Sequence, residues 1–155
     1  MTRLRRPRGL GAKRGAGQAL VEFSIVLIPF LFLLMGVVDL GRGIFTNNGV
    51  SEAAREIART TSVHPCDPTS CTLGNSTQTL ATIATQEGLV PGLGGTGSTI
   101  AFQCTDITDT ALSNTTCMSG EFVRVTVSVP FQVLTPLLSM VAPTTLTSTS
   151  HIQLP

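Results

Sequence analysis

The stretch Gln18–Val38, which reads QALVEFSIVLIPFLFLLMGVV, decides how this chain of 155 residues is organised. At the rise of an α-helix, a stretch of this length extends about 30 Å, the thickness of a membrane's hydrocarbon core. No charged residue occurs from Phe23 to Val38. Pro29 removes one backbone donor, which membrane helices tolerate. The sequence therefore predicts a transmembrane helix over residues 18–38.

The charges around this helix predict its orientation. Residues from Gln18 onward carry four basic and nine acidic side chains, a net charge of about −5. The positive-inside rule places residues 1–17, a basic leader, in the cytoplasm and residues from Asp39 onward outside it. We therefore expect a single-pass protein of the cell membrane with an extracytoplasmic C-terminal domain. Six of the ten basic residues precede the helix, and no acid precedes Glu22; these six are Arg3, Arg5, Arg6, Arg8, Lys13 and Arg14.

Two other interpretations of the N-terminal region are less well supported. A cleaved secretory signal needs small residues at its cleavage site, and Asp39 and Arg42 interrupt that pattern after Val38. A nucleic-acid-binding arm is disfavoured because no aromatic residue is interleaved with the basic ones and an apolar segment follows at once. An uncleaved or differently cleaved membrane anchor is favoured, and no nucleic-acid partner is expected.

Glu22 is a carboxylate inside the apolar stretch. It lies near the predicted cytoplasmic end of the helix, so its side chain could extend to the membrane interface, where the free-energy cost of its charge is small. The alternative is that it binds a cation of another subunit. If the chain is cut after Gly17, the new α-amino group of Gln18 supplies such a cation. Two parallel helices paired in this way would have a fixed stagger, since either charge left unpaired would be penalised.

The residues around Glu22 resemble known processing and anchoring motifs. Arg14–Phe23, which reads RGAGQALVEF, resembles the processing region of type IV-type prepilins, with Gly before the cut and Glu as the fifth residue after it. Together with motif residues further along, the chain resembles the TadE-like family, membrane-anchored pseudopilins of the tight-adherence (Flp) pilus assembly system in bacteria. The resemblance covers about residues 16–59 and rests on Gly17, Gln18, Glu22, Phe23, Pro29, Asp39, Gly41, Arg42, Ala54, Arg55 and Arg59.

This resemblance implies a structural role in pilus assembly, as a minor pilin or pseudopilin. The implied partners are the membrane, other pilins or pseudopilins, the assembly machinery, and an aspartic prepilin peptidase that would cut between Gly17 and Gln18. The alternative is a single-pass anchored extracytoplasmic binding domain with no pilus role, for which Glu22 is incidental.

Residues 39–61 are predicted to form a stalk helix beyond the membrane. Asn47-Asn48-Gly49 is a turn signal, so we expect either one long helix or two helices that meet near Gly49, the second capped by Ser51. The apolar stripe of this stalk would pack against the chain's own head domain or against neighbouring subunits. Its residues, at near-helical spacing, are Leu40, Ile44, Val50, Ala54, Ile57 and Ala58.

All four cysteines follow the membrane segment: Cys66, Cys71, Cys104 and Cys117. The predicted topology puts them in an oxidising compartment, where they indicate two disulfides. Three pairings are open, and we favour Cys66–Cys71 and Cys104–Cys117, because Asp67–Ser70 is a turn-forming stretch. A zinc site that uses His64 is disfavoured because paired CxxC spacing is lacking.

Residues 62–155 are predicted to form a small α+β head. A helix over Thr77–Glu87, stopped by Gly88, would place Leu80, Ile83 and Ala84 on one face. Three largely antiparallel strands are expected over 98–104, 122–129 and 145–154, with helix covering one side. Pro130 would end the second strand, whose Val123, Val125, Val127 and Val129 share one face. The apolar segment 131–141 would be a buried crossover or a patch against membrane or partner.

The sequence does not indicate catalysis, a cofactor, a metal or a small-molecule substrate. Gly92–Gly97 fits G-x-G-x-x-G, but it follows a helix and leads into a strand, the reverse of the order that nucleotide binding needs. His64 and His151 lie far apart without a motif around either, and Asp106 and Asp109 are expected in a solvated turn. Trp and Tyr, common in binding hot spots, are absent.

Overall fold

The structure, a computed structural model, describes residues 14–66, 72–112, 117–135 and 144–155. These residues form two helices and three strands. In chain order they are α1 (Arg14–Val63), α2 (Thr77–Leu89), β1 (Thr99–Thr105), β2 (Phe122–Pro130) and β3 (Thr145–Gln153). The predicted α+β class, with a long apolar N-terminal helix, a short helix and a three-stranded antiparallel sheet, is confirmed.

The membrane segment and the stalk form one uninterrupted helix. α1 has 50 residues and contains Pro29, so it extends about 75 Å. Of the two expected arrangements, one long helix or two helices meeting near Gly49, the structure has the single helix, and Ser51 lies inside α1 instead of capping a new helix. Gly49 lies beside Val90, the residue that follows α2: a Cβ built on Gly49 would lie 3.4 Å from Cγ2 of Val90, an ordinary van der Waals distance.

The three strands form an antiparallel sheet in the order β1-β2-β3. Val125 of the central strand lies opposite Phe102 of β1 and Ser150 of β3, which defines the register on both sides. Because side chains alternate across a strand, β2 directs one face toward α1 and the other outward. The inward-facing residues of β2 are fully buried, as the alternation predicts: Val123, Val125, Val127 and Val129.

The core lies between this valine face and the second half of α1. Burying each valine contributes about 1.5 kcal/mol or more to folding. The α1 residues that complete the core are Val50, Ala53, Ala54, Ile57 and Ala58. The first part of the predicted stripe does not take part, because Leu40 and Ile44 remain 65% and 55% exposed. At this level α1 turns other residues, among them Asp39 and Thr46, toward the head.

The strand ends differ from the predictions by one residue. β1 runs from Thr99 to Thr105, and β3 ends at Gln153. β2 includes Pro130, which pairs with Thr145 of β3, whereas the pairing of β2 with β1 stops at Ser128. Proline is tolerated there because it is the last residue of the strand.

α2 begins at the predicted residue but buries a different face. Ser76 caps it by accepting a hydrogen bond from the Thr79 amide at 3.1 Å, and the helix continues two residues past Glu87. Of the apolar face predicted for this helix, Leu80 and Ala84 are exposed. Ile83 is partly buried against the core.

The buried residue of α2 is Thr79, and polar contacts explain why. Its hydroxyl accepts a hydrogen bond from the Ser76 hydroxyl at 2.7 Å and donates to the His64 carbonyl at 3.3 Å. Thr82 donates to Thr60 of α1 at 3.2 Å. Because buried hydroxyls must be paired, this network determines which face of α2 packs on the end of α1.

Candidate functional site

The first candidate site is the carboxylate of Glu22 on the surface of α1. Its side chain is exposed, and large apolar side chains surround it, including Val21 at 58% and Phe23 at 63% exposure. Among the side chains that the structure describes from Gly17 onward, no cation of the same chain pairs with Glu22. The side chains of the six basic leader residues, Arg14 included, are not among those described. The geometry therefore leaves this carboxylate accessible to a second molecule.

The surface around Glu22 is apolar over many turns. By length and composition, α1 from Gly17 onward can cross a membrane, and its most apolar window has a mean hydropathy of 2.5 with none of it buried inside the protein. A core helix of a water-soluble domain would be covered by its own fold. An exposed apolar surface of this extent marks an interaction with lipid or with other proteins.

The second candidate site is the point where α1 leaves its apolar stretch. The side chain of Asp39 is 2% exposed and lies against the segment Phe131–Thr135. Its Oδ2 accepts hydrogen bonds from the Thr135 amide at 2.8 Å and the Thr135 hydroxyl at 2.7 Å. The Leu134 amide donates to Oδ1 at 3.0 Å and to Oδ2 at 3.1 Å. We call this arrangement the Asp39 clamp.

The same hydrogen bonds determine the charge state of Asp39. The Leu134 amide and the Thr135 hydroxyl hold the pKa of its carboxyl below the ordinary value, since they stabilise the ionised form. Desolvation acts in the opposite direction and is outweighed, while Arg42 lowers the pKa further. The clamp is therefore charged at neutral pH.

Arg42 and Gly43 complete the junction. The Arg42 guanidinium lies 3.5 Å from Oδ1 of Asp39 and 5.8 Å from the centre of the Phe131 ring, within range of a cation–π contact. Phe131 packs on Gly43, where a Cβ would lie 3.5 Å from its Cζ. Gly41 faces away, with nothing within 4 Å of a built Cβ.

The remaining motif residues divide between the two halves of α1. Phe23 and Pro29 are exposed in the apolar half. Ala54 is 1% exposed and packs in the core, whereas Arg55 and Arg59 are exposed to solvent. Glu52 and Arg55 approach each other at 4.0 Å with both side chains 71% exposed, a pair that contributes little.

A disulfide joins Cys104 to Cys117, the pairing that the sequence analysis favoured, with Cα atoms 5.3 Å apart. Cys66 is disulfide-bonded, and Cys71, its predicted partner, lies outside the described residues. The Glu121 carboxylate approaches the Cys104 and Cys117 sulfurs. Because these sulfurs are joined to each other, they are not available as thiolate ligands for zinc.

The other polar residues singled out in the head have structural roles. Asp106 accepts from the Thr108 hydroxyl at 2.7 Å and from the Thr110 amide at 2.8 Å, and these bonds lower the pKa of its carboxyl. Asp109 instead contacts Arg124 and His151, each at 3.2 Å. His64 is exposed beyond the end of α1.

The sequence did not predict the contact between Asp39 and the Leu134 and Thr135 donors. The two sides of the clamp are separated by 95 residues, and no local pattern indicates which amides the carboxylate binds. The apolar stretch 136–141 that follows lies outside the described residues. The one available signal was the position of Asp39 immediately after the apolar segment.

Comparison with protein families identifies α1 as the region with known relatives. The family model described as TadE-like protein matches residues 17–59, which confirms the resemblance over that part of the chain. No curated protein and no solved structure matches the chain. The match includes Gly17, Glu22 and the Asp39 side of the clamp, and it associates the chain with tight-adherence pilus assembly.

Proposed function

We propose that this chain is a membrane-anchored minor pilin or pseudopilin that takes part in the assembly of a tight-adherence (Flp, type IV-like) pilus, in a structural and not a catalytic role. One observation carries the proposal: the TadE-like match covers residues 17–59, all of them within a single helix whose apolar half is exposed. Such a helix can be held in a membrane or among identical helices.

The proposed topology puts the leader in the cytoplasm and the head outside. Six of the ten basic residues precede the apolar stretch, which supports this orientation. The disulfide between Cys104 and Cys117 supports an oxidising environment for the head. The two observations are independent of each other and agree.

Glu22 is proposed to set the stagger between neighbouring helices. A prepilin peptidase would cut between Gly17 and Gln18 and create an α-amino group on Gln18. If this amine binds Glu22 of a parallel neighbour, the two helices are offset by about four residues, roughly 6 Å along their axes. The exposure of Glu22 supports this role, as does the absence of an ion pair between Glu22 and any side chain that the structure describes from Gly17 onward.

The N-terminal sequence of the mature chain tests the proposal directly. A start at Gln18 is expected and indicates cutting by a pilin-type peptidase. A start at Met1 indicates a plain anchor, and a start after Val38 indicates a secreted protein; either result contradicts the proposed processing. Deletion of the chain is expected to reduce or abolish fibres in the same cells, and normal fibre numbers would contradict a role in assembly.

An anchored binding domain without a pilus role is the second candidate. The outer face of the sheet favours it, because hydroxyl side chains such as Thr126 and Thr149 pair across the strands there at 3.3 Å and remain accessible. Under this alternative, Glu22 has no partner and its replacement has no effect on fibres.

A further inference from the structure

We propose that the segment Phe131–Thr135 is a second membrane contact, held by the Asp39 clamp at the head-side surface of the bilayer that α1 crosses, with Leu134 in the lipid interface. The inference rests on the membrane anchoring in the proposed function and does not depend on pilus assembly. It identifies an extracytoplasmic segment that contacts lipid in addition to α1.

The Asp39 clamp lies at the depth where α1 leaves its apolar stretch. Asp39 directly follows Val38, the last residue of the apolar stretch. Side chains on a helix tilt toward its N-terminus, so the Asp39 carboxylate lies beside the final turn of that stretch. The Leu134 amide lies 3.0 Å from this carboxylate. Leu134 is therefore the part of the head that lies level with the end of the membrane-spanning segment.

The clamp also pairs backbone amides of the irregular segment Phe131–Thr135. An irregular segment is excluded from the apolar part of a membrane because its free N–H groups have no water to bind. Here Asp39 accepts from the amides of both Leu134 and Thr135 and from the Thr135 hydroxyl. The clamp thus pairs the amide donors of Leu134 and Thr135, which would otherwise oppose lipid contact, and these donors in turn stabilise the carboxylate charge.

The surface around the clamp is apolar and exposed. Leu134 is 61% exposed, and the neighbouring helix surface is apolar as well, with Val38 at 56% and Leu40 at 65% exposure. The Arg42 side chain is 47% exposed beside Asp39, which places a half-exposed cation at the level where lipid headgroups would begin. The patch is continuous with the surface that the membrane covers, which favours lipid over a protein partner.

The absence of native tryptophan makes the test direct. The chain contains neither Trp nor Tyr, so a Leu134→Trp variant carries a single emitter. The full chain would be reconstituted in phosphatidylcholine vesicles with or without brominated acyl chains, which quench tryptophan only within the bilayer. We expect quenching of Leu134→Trp within about twofold of that of Val38→Trp, because interfacial side chains enter the headgroup–acyl boundary.

Ile107→Trp is the matched control. Ile107 is 87% exposed and apolar, and it lies at the opposite end of the sheet, beyond the Thr105–Phe122 pair. Its tryptophan should not be quenched. Adding Asp39→Asn to Leu134→Trp should reduce quenching, while the same replacement in the Val38→Trp protein should leave quenching unchanged.

Two results would overturn the inference. The segment would lie in solvent if the tryptophan of Leu134→Trp were quenched no more than that of Ile107→Trp and emitted at the wavelength of a water-exposed tryptophan. Blue-shifted emission that is insensitive to bromine and rises with the protein-to-lipid ratio would assign the patch to a second copy of the chain. Neither result bears on the pilus proposal, which fibre counts decide separately.

Discussion

The hydroxyl of Thr135 donates a hydrogen bond to the carboxylate of Asp39 at 2.7 Å, across 96 residues of sequence. This contact links the end of β2 to the point where α1 leaves its apolar stretch. The head therefore contacts α1 in three ways: through the valine face of β2, through hydroxyl groups of α2, and through the Asp39 carboxylate. The contact at Asp39 makes the position of the head along the helix specific.

Replacing Asp39 with Asn should release the segment Phe131–Thr135. The amide of Asn keeps one acceptor oxygen but loses the charge, and its NH2 group faces the Leu134 and Thr135 donors. We expect hydrogen exchange at these two amides to rise about tenfold or more in the full chain in detergent micelles. Unchanged exchange at both amides would contradict the clamp. Glu52→Gln, on an exposed turn of the same helix, is the control.

The clamp should weaken in acid. Since hydrogen bonds hold the pKa of Asp39 below its ordinary value of 3.8, its stabilising charge is present above that value. The stabilisation is lost as the pH falls through the lower pKa of the folded protein. The amide proton shifts of Leu134 and Thr135, followed by NMR, should therefore titrate with a midpoint below 3.8. A midpoint above that value would contradict the structure, and Asp39→Asn should abolish the titration.

The disulfide between Cys104 and Cys117 should stabilise the head substantially. It closes a loop with a sequence separation of 13 residues. For a loop of this size the chain-entropy model gives about 3 kcal/mol. A Cys104→Ser/Cys117→Ser double variant should lose about this much in free energy of unfolding, measured with denaturant on the full chain. An unchanged midpoint would show that the bond adds nothing to the native state.

The two faces of β2 should respond differently to truncation. Val125 is fully buried, so Val125→Ala should cost about 2 kcal/mol through lost burial and a small cavity. Thr126→Ala, one residue away on the outer face, should cost about 0.5 kcal/mol or less. Equal losses in the free energy of unfolding would mean that the valine face is not the core.

Much of the fold follows from local sequence patterns. The period-two alternation around Val125 predicts the central strand and its buried face, because this periodicity is local. The apolar stretch predicts the exposed half of α1 in the same way. Around Gly49 the sequence left two arrangements open, because glycine after two asparagines indicates a turn; the structure has a continuous helix there, with Val90 packed beside Gly49.

The parts that could not be predicted depend on contacts between distant residues. The buried face of α2 follows from hydroxyls that meet α1, such as Thr79 with the His64 carbonyl, and not from the apolar face containing Leu80. The partners of Asp39 likewise lie in a segment with no local signal for carboxylate binding. Glu22 is different, since its spacing from Gly17 is visible in the sequence and its proposed partner belongs to another molecule.

The most direct test of the central claim is a count of fibres per cell for Glu22→Gln, which removes the charge and keeps the size of the side chain. Membrane insertion of the variant is checked by fractionation, and Glu52→Gln, a solvent-exposed acid on the same helix, serves as the control. The account predicts that Glu22→Gln inserts normally and forms about tenfold fewer fibres, since an unpaired charge is left buried on the neighbour. Fibres at the number seen with Glu52→Gln would contradict it.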